Sequence, residues 1–316
     1  MQTETISLGA EPQLTIDCQG NLEIGGSARE EIKIEYEAGS LEVITGENKA
    51  AVRSPSDCVI RMPQAGTARI GQVGGNFHVR DVAGELSIEA TGGSFYARRI
   101  GKLEIGRVEK EARIREATGS VAIGSIGGSL ALRDTERTVY IEEIGGDLWG
   151  RNVTGGIECD RVGGILALRT PFAPGITWRF GRVERAAFRV DDDDNVRFVL
   201  APEAVLQLAE RLNATWEGNH WVVLIGSGAA TVHLLAVTHV ALNRGAGYDE
   251  GTAFAYSFAV DDEPAPDLAD LSAELDTQYT MLEASLSDNL SERLRHHIAE
   301  QQKIARRQVE DAHRAG

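Results

Sequence analysis

The chain has 316 residues, 35 of them glycine, with 42% hydrophobic and 6% aromatic residues. That apolar content supports a core built mainly of Val, Ile, Leu and Ala, and excludes wholesale disorder; without a three-residue glycine period, a collagen-like chain is excluded too. The formal net charge of -16 argues against nucleic acid as the main partner.

The first residues, MQTETISLGA, have neither a basic start nor an apolar run, so no signal peptide is expected. No stretch reaches the length of apolar residues that a transmembrane segment needs. Cys18, Cys58 and Cys159 are odd in number and far apart. They read as core fillers rather than a disulfide framework, and a cytoplasmic location is expected.

Residues 1–17 are expected to form an N-terminal cap. From about Cys18 to Thr170 the chain repeats. Anchors at Val73, Val82, Thr91 and Ile100, then Val108, Ala117, Ile126, Thr135, Ile144, Val153 and Val162, follow every nine residues, with one step of eight. Two places after most anchors stands glycine. Four and six places after stand apolar residues, as in Phe77 with Val79, Leu86 with Ile88 and Val121 with Ile123. A spacing of two puts both on one face of a strand. Each unit therefore reads as one short strand and one glycine corner, which buries its face only by stacking on neighbours.

Double glycines (Gly74-Gly75, Gly92-Gly93, Gly127-Gly128, Gly145-Gly146, Gly163-Gly164) mark alternate units. So does a row of arginines at position seven: Arg80, Arg98, Arg115, Arg133, Arg151 and Arg169. The arginines step by eighteen, with one seventeen, and the double glycines by eighteen, with one coil skipped between Gly93 and Gly127. The expected fold is therefore an all-β, two-strand-per-coil β-solenoid of about eighteen residues per coil, followed by a long C-terminal α-helix.

Residues 171–260 keep paired apolar slots, at Ile176 with Trp178, Phe188 with Val190 and Phe198 with Leu200. They read as irregular β coils or a capping β unit, with further strands at Trp221–Ile225, Thr231–Val237 and Ala253–Phe258 and a short helix over Pro202–Leu212. Residues 261–267 (DDEPAPD) are a linker and helix start. Residues 268–315 form a long amphipathic helix, with Leu268, Leu271, Leu275, Tyr279, Leu282, Leu286 and Leu290 on one stripe. Such a stripe wants a partner, in a coiled coil or on the chain's own body. Its first part carries only acids, and its end is rich in arginine.

The arginine row is the most specific chemical feature. Its functional reading is a basic stripe for a polyanion or acidic segment; its plainer reading is a solvated edge with local pairing to Asp81, Glu116 and Asp134. Asp191–Asp194 suggests calcium by its oxygens but lacks a loop spacing, and reads better as a turn. His233 and His239 lack identifiable co-ligands. Gly226-Ser227-Gly228 is no phosphate loop, since no Lys-Ser/Thr follows. Position five offers His78, Glu104, Arg113 and Glu158, but no carboxylate pair for glycoside hydrolysis.

Units such as Val73-Gly-Gly-Asn-Phe-His-Val and Ile126-Gly-Gly-Ser-Leu-Ala-Leu resemble the bacterial putative-adhesin family of glycine-rich β-strand repeats. The resemblance covers about half the chain and implies a β-solenoid. In style the pattern is also similar to bactofilins, which polymerise end to end. Neither resemblance brings catalytic residues or cofactors. The expected function is a non-enzymatic structural or scaffold protein that self-associates, as a homo-oligomer or filament, through the solenoid and the helix. The alternatives are a regulatory module that recruits a protein partner, and a carbohydrate-active enzyme. The candidate interaction residues are the six arginines with Leu271, Leu275, Leu282, Leu286 and Leu290.

Overall fold

The computed structural model describes residues 2–37, 41–191 and 193–244. All of its regular structure is β. In the first part lie β1 (Gln2–Ser7), β2 (Gln13–Cys18), β3 (Leu22–Ser27), β4 (Glu31–Tyr36), β5 (Glu42–Gly46), β6 (Lys49–Ser54), β7 (Cys58–Pro63) and β8 (Thr67–Val73). Two long strands follow, β9 (Phe77–Thr91) and β10 (Phe95–Val108). Five short ones come next: β11 (Ala112–Ala117), β12 (Val121–Ile126), β13 (Leu130–Thr135), β14 (Val139–Ile144) and β15 (Leu148–Val153). Last are β16 (Ile157–Arg169), β17 (Thr177–Val190), β18 (Val196–Leu200), β19 (Val205–Leu208), β20 (Ala214–Glu217), β21 (His220–Ile225) and β22 (Ala230–Arg244).

The eighteen-residue step is a pairing register. Ala112 lies opposite Leu130, Leu130 opposite Leu148, and Val121 opposite Val139, always in parallel. Apolar slots thereby stack on apolar slots. Leu130, Leu132, Val139, Ile144, Leu148 and Val153 are fully buried.

The expected β-solenoid with its two separate strand rows is overturned. β10 pairs with both β11 and β12; the first continues through β13 and β15 to β16, the second through β14 to β16. These seven parallel strands close a ring, so the core is a closed parallel β-barrel. The physical cause lies at the corners. β10 runs on through Arg99 and Gly101, and β16 through Gly163 and Gly164, so each belongs to both rows and joins them into one sheet.

The doubled glycines permit close backbone approach. A Cβ on Gly145 would strike the Gly127 carbonyl oxygen, and one on Gly163 that of Gly145. Left-handed backbone falls instead on Asp81, Arg99, Glu116, Asp134 and Asn152, with φ of 61°, 50°, 57°, 52° and 53°. Each directly follows an arginine of the row.

At the chain's start, β1 is antiparallel to β4, while β2 joins the parallel pairing through β6 and β8. Beyond Pro171 the sheet continues, with β17 parallel to β16 and β22 parallel to β17. The scarce aromatics concentrate here. Phe172, Trp178, Phe180, Phe188 and Phe198 pack edge to face, with ring centroids 5.1–6.5 Å apart. The short helix expected over Pro202–Leu212 is corrected to strand β19, whose pairing with β22 overrides helix propensity. No helix is present among the described residues, and none there is long and apolar enough to cross a membrane. The linker 261–267, the helix 268–315 and the strand at Ala253–Phe258 lie outside the described residues.

Candidate functional site

Parallel register sorts the outward side chains into two faces. On one, carried by β9, β10, β11, β13, β15, β16 and β17, two columns run side by side. The first holds Arg80, Arg98, Arg115, Arg133, Arg151 and Arg169, each opposite the next. Arg189 continues the column on β17, which sequence reasoning missed because a longer loop breaks the eighteen-residue step. The second column, two residues earlier, holds His78, Tyr96, Arg113, Ala131, Trp149, Ala167 and Ala187.

The guanidinium groups of the first half have carboxylate neighbours. Glu23 meets Arg61 at 2.9 Å and Arg80 at 3.9 Å. Glu116 lies 3.3 Å from Arg98 and 3.1 Å from Arg115, and Asp134 lies 3.2 Å from Arg133. Arg99 donates to both oxygens of Asp81, its Nη2 at 3.0 Å, and reaches Glu116 at 3.9 Å. The Asp81 hydrogen bond raises the Arg99 pKa. The pairing to Asp81, Glu116 and Asp134 is thus local, between neighbouring strands or successive residues. In the second half the residues after Arg151 and Arg169 are Asn152 and Thr170, which carry no charge.

The second column is aromatic at its start. The His78 and Tyr96 rings lie 4.7 Å apart, and the Arg113 guanidinium sits 5.7 Å from the Tyr96 ring. Burial lowers the His78 pKa. Further along, Trp149 stands between Ala131 and Ala167.

The second face crosses β8, β9, β10, β12, β14 and β16. It carries an open groove of about 890 Å³ whose lining includes Gly71, Gly106 and Gly124. Glu104, Tyr140, Glu142, Glu158, Asp160 and Arg69 also line it. Position-five residues therefore divide: His78, Tyr96 and Arg113 face one way, Glu104, Tyr140 and Glu158 the other. Glu142 and Asp160 lie at equivalent places on neighbouring strands, between the pairs Ile141–Cys159 and Glu143–Arg161. That carboxylate neighbourhood was invisible to a reading confined to position five.

The remaining candidates are scattered. Asp194 accepts a hydrogen bond from the Asp191 N–H at 2.7 Å and closes a turn; burial raises its pKa. Asn195 accepts from Ser227 N–H at 2.9 Å, tying this turn to Gly226-Ser227-Gly228. Burial, then Arg179 and Arg197, lowers the pKa of His233. Among the described residues, no three His, Cys, Asp or Glu side chains are grouped to hold a metal ion. Cys18, Cys58 and Cys159 are buried free thiols. Leu271, Leu275, Leu282, Leu286 and Leu290 lie outside the described residues.

No family model matches the chain, and no curated protein matches it. A solved structure of a putative cell adhesion protein from Clostridium sporogenes ATCC 15579 is similar at 10% identity. The match covers 77% of this chain and 99% of that chain, with a TM-score of 0.22. A likeness that distant carries no argument about this chain's fold or function.

Proposed function

We propose that this chain is a non-enzymatic binding and scaffold protein whose working surface is the arginine-bearing face. One observation carries the reading. Backbone pairing holds the arginines in one column in register, and the residues after Arg151 and Arg169 are uncharged, on a chain whose net charge is -16. A concentrated basic column attracts an extended anionic partner locally, despite the opposite sign of the whole molecule.

The test is retention on a sulfonated cation-exchange resin at pH 7 and low ionic strength. A protein of this charge without a working basic face passes through. Retention that salt reverses, and that Arg133→Gln, Arg151→Gln and Arg169→Gln together weaken, supports the reading. Passage of the wild-type chain in the void volume refutes it.

A second reading, self-association, is favoured by the sheet's open edges. Among the described residues, β5 pairs only with β6 and β20 only with β21. Ile44 on β5 and Trp216 on β20 are exposed. An exposed apolar edge strand is a template for pairing with another chain. Light scattering that gives the monomer mass at all working concentrations refutes this second reading.

A further inference from the structure

We propose that the arginine-bearing face takes the acidic second face of another copy of this chain. Arg151 and Arg169 of one copy meet Glu142 and Asp160 of the next. The proposal deepens the anionic-partner reading above, rests on it, and says what the partner is.

Three observations point to a second copy. The first is a shared slot. Glu142, Arg151, Asp160 and Arg169 follow one another at nine-residue steps, each seven places after its anchor. Successive units alternate between the two faces. One slot of the repeat therefore supplies acid to one face and arginine to the other.

The second is pitch. Arg151 on β15 and Arg169 on β16 are one strand apart in parallel register. Glu142 on β14 and Asp160 on β16 are also one strand apart, between the pairs Ile141–Cys159 and Glu143–Arg161. Parallel neighbours repeat about every 4.8 Å, so the backbone of one strand stack sets both separations alike. Two arginines can meet two carboxylates at once, with neither row stretched. An extended acidic polypeptide spaces its same-side carboxylates at roughly 6.6–6.8 Å, which does not match this step.

The third is where internal pairing ends. Arg98 and Arg115 have Glu116, and Arg133 has Asp134, which Asn152 also engages at 2.6 Å. Arg151 and Arg169 form no ion pair among the described residues. On the second face Lys102 engages Glu104 at 2.8 Å and Arg161 engages Glu143 at 2.9 Å. Glu142 and Asp160 are exposed and form no ion pair among the described residues. The unpaired charges of the two faces thus fall on the same two coils, with opposite sign. Because the two faces differ, the contact is heterologous and leaves one unused face on each terminal copy, so assembly runs past the dimer.

The experiment is light scattering and sedimentation equilibrium of the full chain over a concentration series. Exposed ion pairs are individually weak, so the series runs to the highest soluble concentration. At about 0.1 M salt the screening length is about 10 Å, which damps the mutual repulsion of two acidic chains more than a direct ion pair. The expected result is a mass that climbs past the dimer with concentration and returns to the monomer at about 1 M salt, where screening reaches about 3 Å. Arg151→Glu with Arg169→Glu makes both faces acidic; Glu142→Arg with Asp160→Arg makes both basic. Each variant alone should associate about tenfold or more weakly, since like charges then face each other. An equimolar mixture of the two should recover association, because the acidic faces of one meet the basic faces of the other. Circular dichroism melting identifies a variant that fails to fold, and the mixture is read only with folded variants.

Association that persists at about 1 M salt and in both variants overturns the proposal in favour of edge-strand pairing. Loss in both variants with no recovery in the mixture overturns it as well. A wild-type chain that stays monomeric but is retained by the cation exchanger overturns the second copy and leaves the anionic-partner reading standing. A monomeric chain that the exchanger does not retain removes both.

Discussion

Gly119 turns the chain between β11 and β12, directly against β10. A Cβ there would lie 2.7 Å from the Lys102 nitrogen and 2.8 and 2.9 Å from the Gly101 carbonyl carbon and oxygen. All three are backbone atoms, so no flexible side chain can move aside. The corner must retreat by several tenths of an ångström to reach an ordinary contact. Two hydrogen bonds anchor it where it is: Thr118 N–H to the Ile100 carbonyl and Leu103 N–H to the Ser120 carbonyl, both 3.0 Å. Overpacking a tight site costs about 1–3 kcal/mol, and weakening two backbone hydrogen bonds adds about 1 kcal/mol or more. Gly119→Ala should therefore destabilise the fold by about 2–4 kcal/mol, lowering Tm by about 5–15 °C for a domain of this size. Gly46→Ala is the control, because nothing lies within 4 Å of its added methyl and the residue sits on β5. Urea titrations of both variants measure the difference. A Gly119→Ala variant within about 0.5 kcal/mol of wild type would show that the corners do not require glycine's small size.

Two further outcomes follow from buried groups. Thr135 is 1% exposed, its hydroxyl has no hydrogen-bond partner, and its register neighbours are Ala117 and Val153. Thr135→Val removes the unsatisfied hydroxyl at constant shape and should stabilise by about 1 kcal/mol in denaturant titration; a loss of stability would mean the hydroxyl is satisfied in solution. Burial pushes the thiols of Cys18, Cys58 and Cys159 up to about 11, 12 and 12. The thiolate is the reactive form, so the folded protein should resist a disulfide-exchange reagent at pH 8 and react only as pH climbs toward those values. Unfolding in urea should release all three at the ordinary rate; fast native reaction at pH 8 would contradict their burial.

Much of the local structure was legible because it repeats. The slots at Phe77 and Val79, or Val121 and Ile123, share a face by strand periodicity alone, and an eighteen-residue step sets their register. The arginine column followed from the same step. Closure of the ring did not. A constant step fixes which strands pair, but says nothing about whether β10 and β16 stop at their corners or run through them. The left-handed corner was hidden because Asp81, Arg99, Glu116, Asp134 and Asn152 span four residue types, and glycine, the usual sign of that conformation, stands elsewhere. Arg61, opposite Gly25 on β3, was missed because the step into it is irregular. The segment Pro202–Leu212 misled because its composition suits a short helix, and only pairing with β22 selects strand.

That hidden corner decides where positive charge accumulates. In an extended strand, successive side chains point to opposite faces, so the residue after an outward arginine would point into the core. A left-handed φ turns it outward, at about 1–2 kcal/mol per residue. Glu116 and Asp134 thereby come back beside Arg115 and Arg133, and Arg99 comes between Asp81 and Glu116. Guanidinium heads kept at the strand spacing would repel by about 1–3 kcal/mol per neighbouring pair, depending on how well solvent screens them. From β9 to β13 the corner column offsets that repulsion with alternating or acidic charge. At β15 the corner residue becomes Asn152, and at the end of β16 Thr170, while the arginines continue through Arg151 to Arg169. Offset by the corner column stops where the row does not. The arginines that lie beyond the last acidic corner are Arg151 on β15 and Arg169 on β16.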